Sequence, residues 1–222
     1  MNPVLKRVLT GLTIAAAVVA AVVYAPAWLF KPAVAALICL AMAEFLALLH
    51  RKMPLRTASP FAFGLAAAAG CALIAGGLWS LVRWAALGNL WLLYVVAIVK
   101  LSDVGGFAVG LASAKHLKGG SHKLCPRISP GKSWEGLFGS ILFSSVASCA
   151  FAGLTHFSVP KALLFGLAAA LVGTAGDLVE SKFKRWVGVK DSSALKLTNG
   201  MGGVLDMLDS LLFAPAAMLA MV

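Results

Sequence analysis

Ala168-Ala169-Ala170-Leu171-Val172-Gly173-Thr174-Ala175-Gly176-Asp177-Leu178-Val179-Glu180-Ser181-Lys182-Phe183-Lys184-Arg185 begins as small and aliphatic residues and ends on two acids and three cations. Read back to position 160, the apolar part has about the 20 residues that a helix rising 1.5 Å per residue needs to cross a hydrocarbon core. Asp177 and Glu180 then fall inside or at the edge of a bilayer. A carboxylate in a spanning helix costs on the order of 2.5 to 3.5 kcal/mol on insertion scales and marks an ion or substrate site. The stretch therefore predicts an integral membrane protein with a polar centre near one face.

The whole chain agrees. Of 222 residues, 61% are hydrophobic and 12% charged, against roughly half and a quarter in soluble domains. The predicted fold class is all-α, a polytopic membrane helical bundle of about seven transmembrane helices. The spans are read at 8–30, 32–50, 60–82, 88–112, 135–157, 160–181 and 203–222, with two basic cytoplasmic loops at 113–134 and 182–202. No internal repeat or low-complexity linker interrupts residues 1–222, so one membrane domain is expected. Within it, 1–100 form the N-terminal helices. Lys6 and Arg7 before an apolar run, with Ala25-Pro26-Ala27 after it, also suit a signal peptide, but the run exceeds the usual ~7 to 15 residues.

Charge fixes the orientation. Fifteen of the nineteen lysines and arginines sit in one alternating set of connections, three (Lys31, Arg83, Lys161) in the other, and Lys100 near the end of the fourth span. That bias places the N-terminus in the cytoplasm and the C-terminus outside, by the positive-inside rule. A net charge of +11 on so apolar a chain excludes an ordinary nucleic-acid-binding domain, and anionic lipid or phosphate is the expected counter-charge. Cys39, Cys71, Cys125 and Cys149 lack zinc or disulfide spacing, and none of the four histidines has ligand spacing. His122 is placed beside the expected phosphate.

The acids carry the chemistry. Asp177 and Glu180, and again Asp206 and Asp209, are three apart and share helix faces. Counted from the external helix ends, Asp103 and Asp177 lie about 22 to 26 Å across the ~30 Å core, level with Asp206 and Asp209. Gathered carboxylates repel, and a hard divalent cation bound by oxygens relieves them: one or two Mg²⁺, or Mn²⁺. Ion pairing with Lys182, Lys184, Arg185 or Lys190 is the competing reading. Glu44 is read equally as a hydrogen-bonded interior residue or a functional one.

Both basic loops suit phosphate. Residues 121–136 combine Lys123, Arg127 and Lys132 with Ser129 and Ser133 ahead of a helix whose positive end points the same way. A P-loop is excluded, because Pro126 occupies the required first glycine. Contact with anionic headgroups is the plainer alternative. The second loop repeats the mixture with Ser181, Lys184, Arg185, Lys190 and Asp191, then Gly202-Gly203, which either lets backbone approach a ligand closely or turns the chain into a helix.

These residues resemble a known family. Gly176-Asp177-Leu178-Val179-Glu180-Ser181-Lys182-Phe183-Lys184-Arg185, Lys190-Asp191-Ser192 and Gly202-Gly203-Val204-Leu205-Asp206-Met207-Leu208-Asp209-Ser210 are similar to the C-terminal signature of phosphatidate cytidylyltransferases, the CDP-diacylglycerol synthases. Asp103 with Gly105-Gly106-Phe107, and Lys123 through Gly136, resemble an upstream stretch of that family, and Glu44-Phe45 echoes an early acidic-aromatic pair. The match covers mainly 100–213, so 101–213 is the expected catalytic region. Met201 stands where the family's pattern has His and Met207 where it has Arg. The stretch between Asp191 and Gly202 is about two residues longer, and the chain is one or two N-terminal helices shorter than the pattern implies.

The resemblance implies transfer of the cytidylyl group of CTP to phosphatidate, giving CDP-diacylglycerol and pyrophosphate, at a cytoplasmic face of the inner or plasma membrane. Its metal ligands would be Asp177, Asp206 and Asp209, with Asp103 and Glu180 in support; a monovalent cation could accompany Mg²⁺. Asp177, Asp206, Asp209, Lys184 and Arg185 are the catalytic candidates. Lys123, Ser129, Lys132, Ser133, Ser181, Lys190 and Asp191 are the substrate-binding ones. The competing functions are another CTP-dependent lipid enzyme (a CDP-archaeol-type synthase or a polyprenol kinase), a non-catalytic lipid-binding homologue, and a cation-coupled transporter. An isologous homodimer is the default assembly.

Overall fold

The structure, a computed structural model, describes residues 20, 22, 27–54, 59–117, 120–190, 192 and 203–222. Most of the first expected span, together with Asp191, Met201 and Gly202, lies outside the described residues. The remainder is a helical membrane protein: α1 (Ala27–Lys52), α2 (Pro60–Leu87), α3 (Asn89–His116), a hairpin of β1 (Lys123–Cys125) and β2 (Ser129–Ser133), α4 (Trp134–Ala150), a single turn α5 (Ala152–Thr155), α6 (Val159–Val187) and α7 (Val204–Leu219). Helices α1, α2, α3 and α6 are each long and apolar enough to cross a membrane.

Several boundaries differ from those expected, each for a local reason. α1 runs through Lys31 and Pro32, where a break is expected; a proline in a membrane helix is tolerated when neighbours re-satisfy the freed backbone. The expected span 135–157 is divided at Phe151, and the chain leaves α5 through His156 in a left-handed conformation. α6 continues past 181 to Val187 and stops at Gly188, whose φ of 86° suits a helix C-cap and whose N–H bonds back to Lys184 and Arg185 carbonyls. Its 29 residues span about 43 Å at the α-helical rise, more than a bilayer core. Lys182, Lys184 and Arg185 therefore stand on helix rather than in a loop.

Small residues and hydroxyls pack the inner helices. At the crossing of α3 and α4, a Cβ on Gly105 would meet the Gly139 carbonyl at 2.6 Å, and one on Gly139 the Gly105 carbonyl at 2.5 Å, so only glycine permits this backbone approach. Ser144 and Ser148 recur every four residues along α4; Ser144 Oγ donates to the Gly166 carbonyl at 2.8 Å and Ser148 Oγ to Ala162 at 2.6 Å, both on α6. Tyr94 Oη shares a 2.7 Å hydrogen bond with Ser148, and Trp84 Nε1 donates to the Pro215 carbonyl at 2.9 Å, joining α2 to α7. Around them Trp84, Trp91, Tyr94, Phe157 and Phe165 form an aromatic core, with Phe157 and Phe165 4.8 Å apart. The outward faces carry exposed Trp28, Phe61, Phe107, Phe138 and Val146, as lipid contact requires. Phe165 precedes Asp177 by twelve residues, or about 18 Å along α6, which puts the aromatic core at one end of the bundle and the acids at the other.

Candidate active site

Residues 121–133, read from the sequence as a loop, fold as a two-stranded antiparallel hairpin with Lys123 opposite Ser133 and Cys125 opposite Ser129. Its turn closes with Ile128 N–H donating to the Cys125 carbonyl at 3.1 Å. Pro126 stands at the second turn position, where its fixed φ is favourable. Ser133 ends β2 and caps α4 at once, its buried Oγ accepting from Gly136 N–H at 3.1 Å. Glu135 in the first turn reaches back to His122, accepting from its backbone N–H at 3.1 Å and meeting Nδ1 at 2.6 Å. His122 thus pairs with an acid and braces the hairpin. From α6, Arg185 Nε donates to the Ile128 carbonyl at 3.3 Å, which ties the turn to the helix that carries Asp177.

This framework aims Lys132 inward, where its ammonium pairs with Asp177 Oδ2. A cavity of about 370 Å³ opens there, lined by Asp103, Ser129, Lys132, Ser133 and Asp177 among others. Asp103 of α3 and Asp177 of α6 line it, and Asp209 of α7 lies nearby. Asp103 Oδ2 accepts from Ser210 Oγ at 2.9 Å and from Lys100 Nζ at 3.2 Å. Asp209 lies within electrostatic reach of Asp177, Asp103 and Lys100. Asp177 Oδ1 is buried and, among the described residues, has no hydrogen-bond partner. A buried carboxylate oxygen without a donor is costly unless a cation satisfies it, and the trio offers only oxygen ligands, the set a hard divalent ion prefers. Asp103, Asp177 and Asp209 therefore fit such an ion by chemistry. As they stand they are open: among the described residues no three His, Cys, Asp or Glu side chains close around a metal position.

The other acids form a separate group. Lys184 Nζ lies 2.6 Å from Glu180 Oε2 and 2.5 Å from Asp206 Oδ1, with all three side chains at most 15% exposed. Asp206 Oδ2 accepts from Ser192 N–H at 2.9 Å and Gly203 N–H at 2.8 Å, so both its oxygens are engaged. Nearby, Glu44 of α1 is buried and accepts from Leu205 N–H at 3.0 Å. A Cβ on Gly203 would lie 2.2 Å from Ser192 Oγ and 2.6 Å from Glu44 Oε2. Gly203 therefore serves both expected purposes at once, a close approach and the start of a helix, with protein rather than ligand as the neighbour.

One five-acid cluster was expected, and the structure divides it in two. The reason is the helix start. Residues three apart on α7 are about 60° apart around the axis, and an acid in the first turn folds back onto the free N–H groups there, which takes Asp206 away from Asp209. The i, i+4 spacing that pairs Glu180 with Lys184 exists only because α6 continues beyond 181. Of the remaining candidates, Lys123 is exposed and donates to Ser121 Oγ at 3.3 Å, Ser181 is half-buried on α6, and Lys190 is exposed after the Gly188 cap. Lys100, Ser210 and Ser192 were given no role from the sequence. The legible signal was Lys100 itself, a cation three residues before Asp103 within an apolar segment.

The sequence comparisons bear on the family of the chain. Residues 58–222 match the cytidylyltransferase family. A phosphatidate cytidylyltransferase of Haemophilus influenzae is 40% identical over 133 residues, 56% of this chain and 42% of the relative. One of Staphylococcus aureus is 40% identical over 128 residues, 57% of this chain and 46% of the relative. A third, of Mycobacterium leprae, is 41% identical over 127 residues, 57% of this chain and 37% of the relative. The chain thus matches less than half the length of each. The family match takes in α2 through α7, including the hairpin and every acid of the site except Glu44, and on that ground the chain belongs to the cytidylyltransferase family.

Proposed function

We propose that this protein transfers the cytidylyl group of CTP to phosphatidate, releasing pyrophosphate and leaving CDP-diacylglycerol in the membrane. The observation that carries the reading is the cavity in which Lys132, Ser129 and Ser133 face Asp103 and Asp177. It offers cationic and hydroxyl donors for a triphosphate on one wall and oxygen ligands for its counter-ion on the other.

In this reading Lys132 holds the nucleotide phosphates, and Arg185 keeps it aimed by fixing the hairpin turn. Asp103, Asp177 and Asp209 would hold Mg²⁺, which when bound neutralises phosphate charge and favours departure of pyrophosphate. The phosphate oxygen of phosphatidate attacks the α-phosphorus in line; already ionised, it requires no strong base. The bond formed is O–P and the bond broken is the α,β P–O link, with the electron pair leaving on pyrophosphate. Lys123 and Lys190, both exposed, attract the anionic substrates. The Glu180–Lys184–Asp206 group holds α6 to α7, the helices that carry Asp177 and Asp209. Residues 101–213 are the catalytic part of a single seven-crossing domain in the inner or plasma membrane, with the N-terminus and the cavity on the cytoplasmic side where CTP is supplied.

Purified protein incubated with radiolabelled CTP, phosphatidate and Mg²⁺ is expected to yield labelled CDP-diacylglycerol. Asp209→Asn should reduce it by about 100-fold or more, since partners that only orient a metal ligand already cost ~10 to 100-fold. No lipid-linked label from the native protein under any divalent ion overturns the reading in favour of a binding or transport role. Label appearing on a prenol rather than on phosphatidate reassigns the acceptor.

A further inference from the structure

Lys100 lies within the membrane-spanning helix α3, where a lone cation is expensive, and its surroundings show what offsets that cost. Its Nζ donates to Asp103 Oδ2 at 3.2 Å on its own helix and, across to α7, to Ser210 Oγ at 3.0 Å and the Met207 carbonyl at 3.3 Å. Ser210 Oγ in turn donates to Asp103 Oδ2 at 2.9 Å, which closes a ring of three side chains. The same ammonium acts electrostatically on Asp177 and Asp209. Three carboxylates with Lys100 and Lys132 carry a formal charge of −1; without Lys100 it would be −2 in a confined space.

Position 207 gives the second observation. Met207 and Ser210 are three apart and share a face of α7, yet Met207 contributes only its backbone carbonyl to the ring. An arginine in its place could reach Ser210 and Asp103 along that face. We propose that Lys100 is a positioning residue that supplies from α3 the positive charge holding Asp103 and the Asp209 turn together, a charge that a cation at 207 on α7 can replace. The activity readout of this proposal rests on the cytidylyl-transfer reading; its stability readout does not.

The test is a charge relocation. Lys100→Met, Met207→Arg and the double variant are purified in detergent, and each is measured for CDP-diacylglycerol formation and for its thermal midpoint. Lys100→Met is expected to lose about 30-fold in turnover, within the ~10 to 100-fold that removal of a group orienting a metal ligand costs, and to melt at a lower temperature. The double variant should recover turnover to within about tenfold of the native protein and regain most of the lost midpoint. Lys100→Gln, which keeps hydrogen-bonding capacity but not charge, should fall with Lys100→Met. Native behaviour of Lys100→Met or Lys100→Gln overturns the proposal, as does a double variant as impaired as Lys100→Met in both measurements. If the native protein makes no CDP-lipid, the transfer reading fails and the thermal midpoints alone decide the role of Lys100.

Discussion

Replacement of Asp177 by Asn is expected to abolish cytidylyl transfer, lowering kcat on the order of 1000-fold or more, while the helices stay packed. Asp177 pairs with Lys132 through one oxygen, and its other oxygen is buried with no hydrogen-bond partner among the described residues. Among the described residues it is the acid of the trio that pairs with Lys132, the cation proposed to hold phosphate, while its free oxygen faces the proposed ion. An outer partner that only orients a metal ligand costs ~10 to 100-fold, and a direct ligand that also aims a cation should cost more. An amide is nearly the same size and can turn its oxygen toward Lys132, so the loss should appear in turnover and not in the melting temperature. Steady-state kinetics beside a thermal melt would check this; retained kcat, or collapse of the fold, would contradict it.

Lys184→Met should have the opposite signature, with stability lost first. Lys184 is 13% exposed and pairs with both Glu180, at 5%, and Asp206, at 15%. Removing it leaves two desolvated carboxylates facing each other, a situation that costs about 3 to 5 kcal/mol when a buried pair is broken. Because Asp206 also caps the start of α7 through Gly203 and Ser192, the strain should enter where α6, α7 and the segment at 192 meet. Adding Glu180→Gln should return part of the loss, since one of the opposed charges is then gone. Denaturation of the single and double variants reads this directly, and a Lys184→Met protein as stable as the native one would refute the structural role.

Helical membrane architecture was legible because composition, charge and 20-residue apolar runs all report the same physics of burial in hydrocarbon. That Asp103 and Asp177 would mark a polar site was legible for a related reason: carboxylates in apolar helices are costly and are kept where something engages them. What was not legible depended on contacts between distant segments. Asp206 and Asp209 look equivalent by spacing, but the free N–H groups at the start of α7 and the buried Ser192 claim the first and leave the second near Asp103 and Asp177. Glu44, isolated in its helix, is explained only by Leu205, 161 residues away. The hairpin escaped notice because Pro126 and Pro130 argue against regular strands; the strands are short and edge-only, where proline is permitted. Lys100 was counted as a charge and given no partner, since its acceptors on α7 are more than a hundred residues off.

The division of the acids into a ligand trio and a structural group is best tested by melting the protein across a Mg²⁺ titration in the presence of CTP. A ligand that binds only the folded state raises the midpoint with concentration. The native protein and Asp206→Asn should both show that rise, Asp206→Asn from a lower starting temperature, whereas Asp177→Asn and Asp209→Asn should show little or none. A rise that vanishes in Asp206→Asn and persists in Asp177→Asn would contradict the assignment.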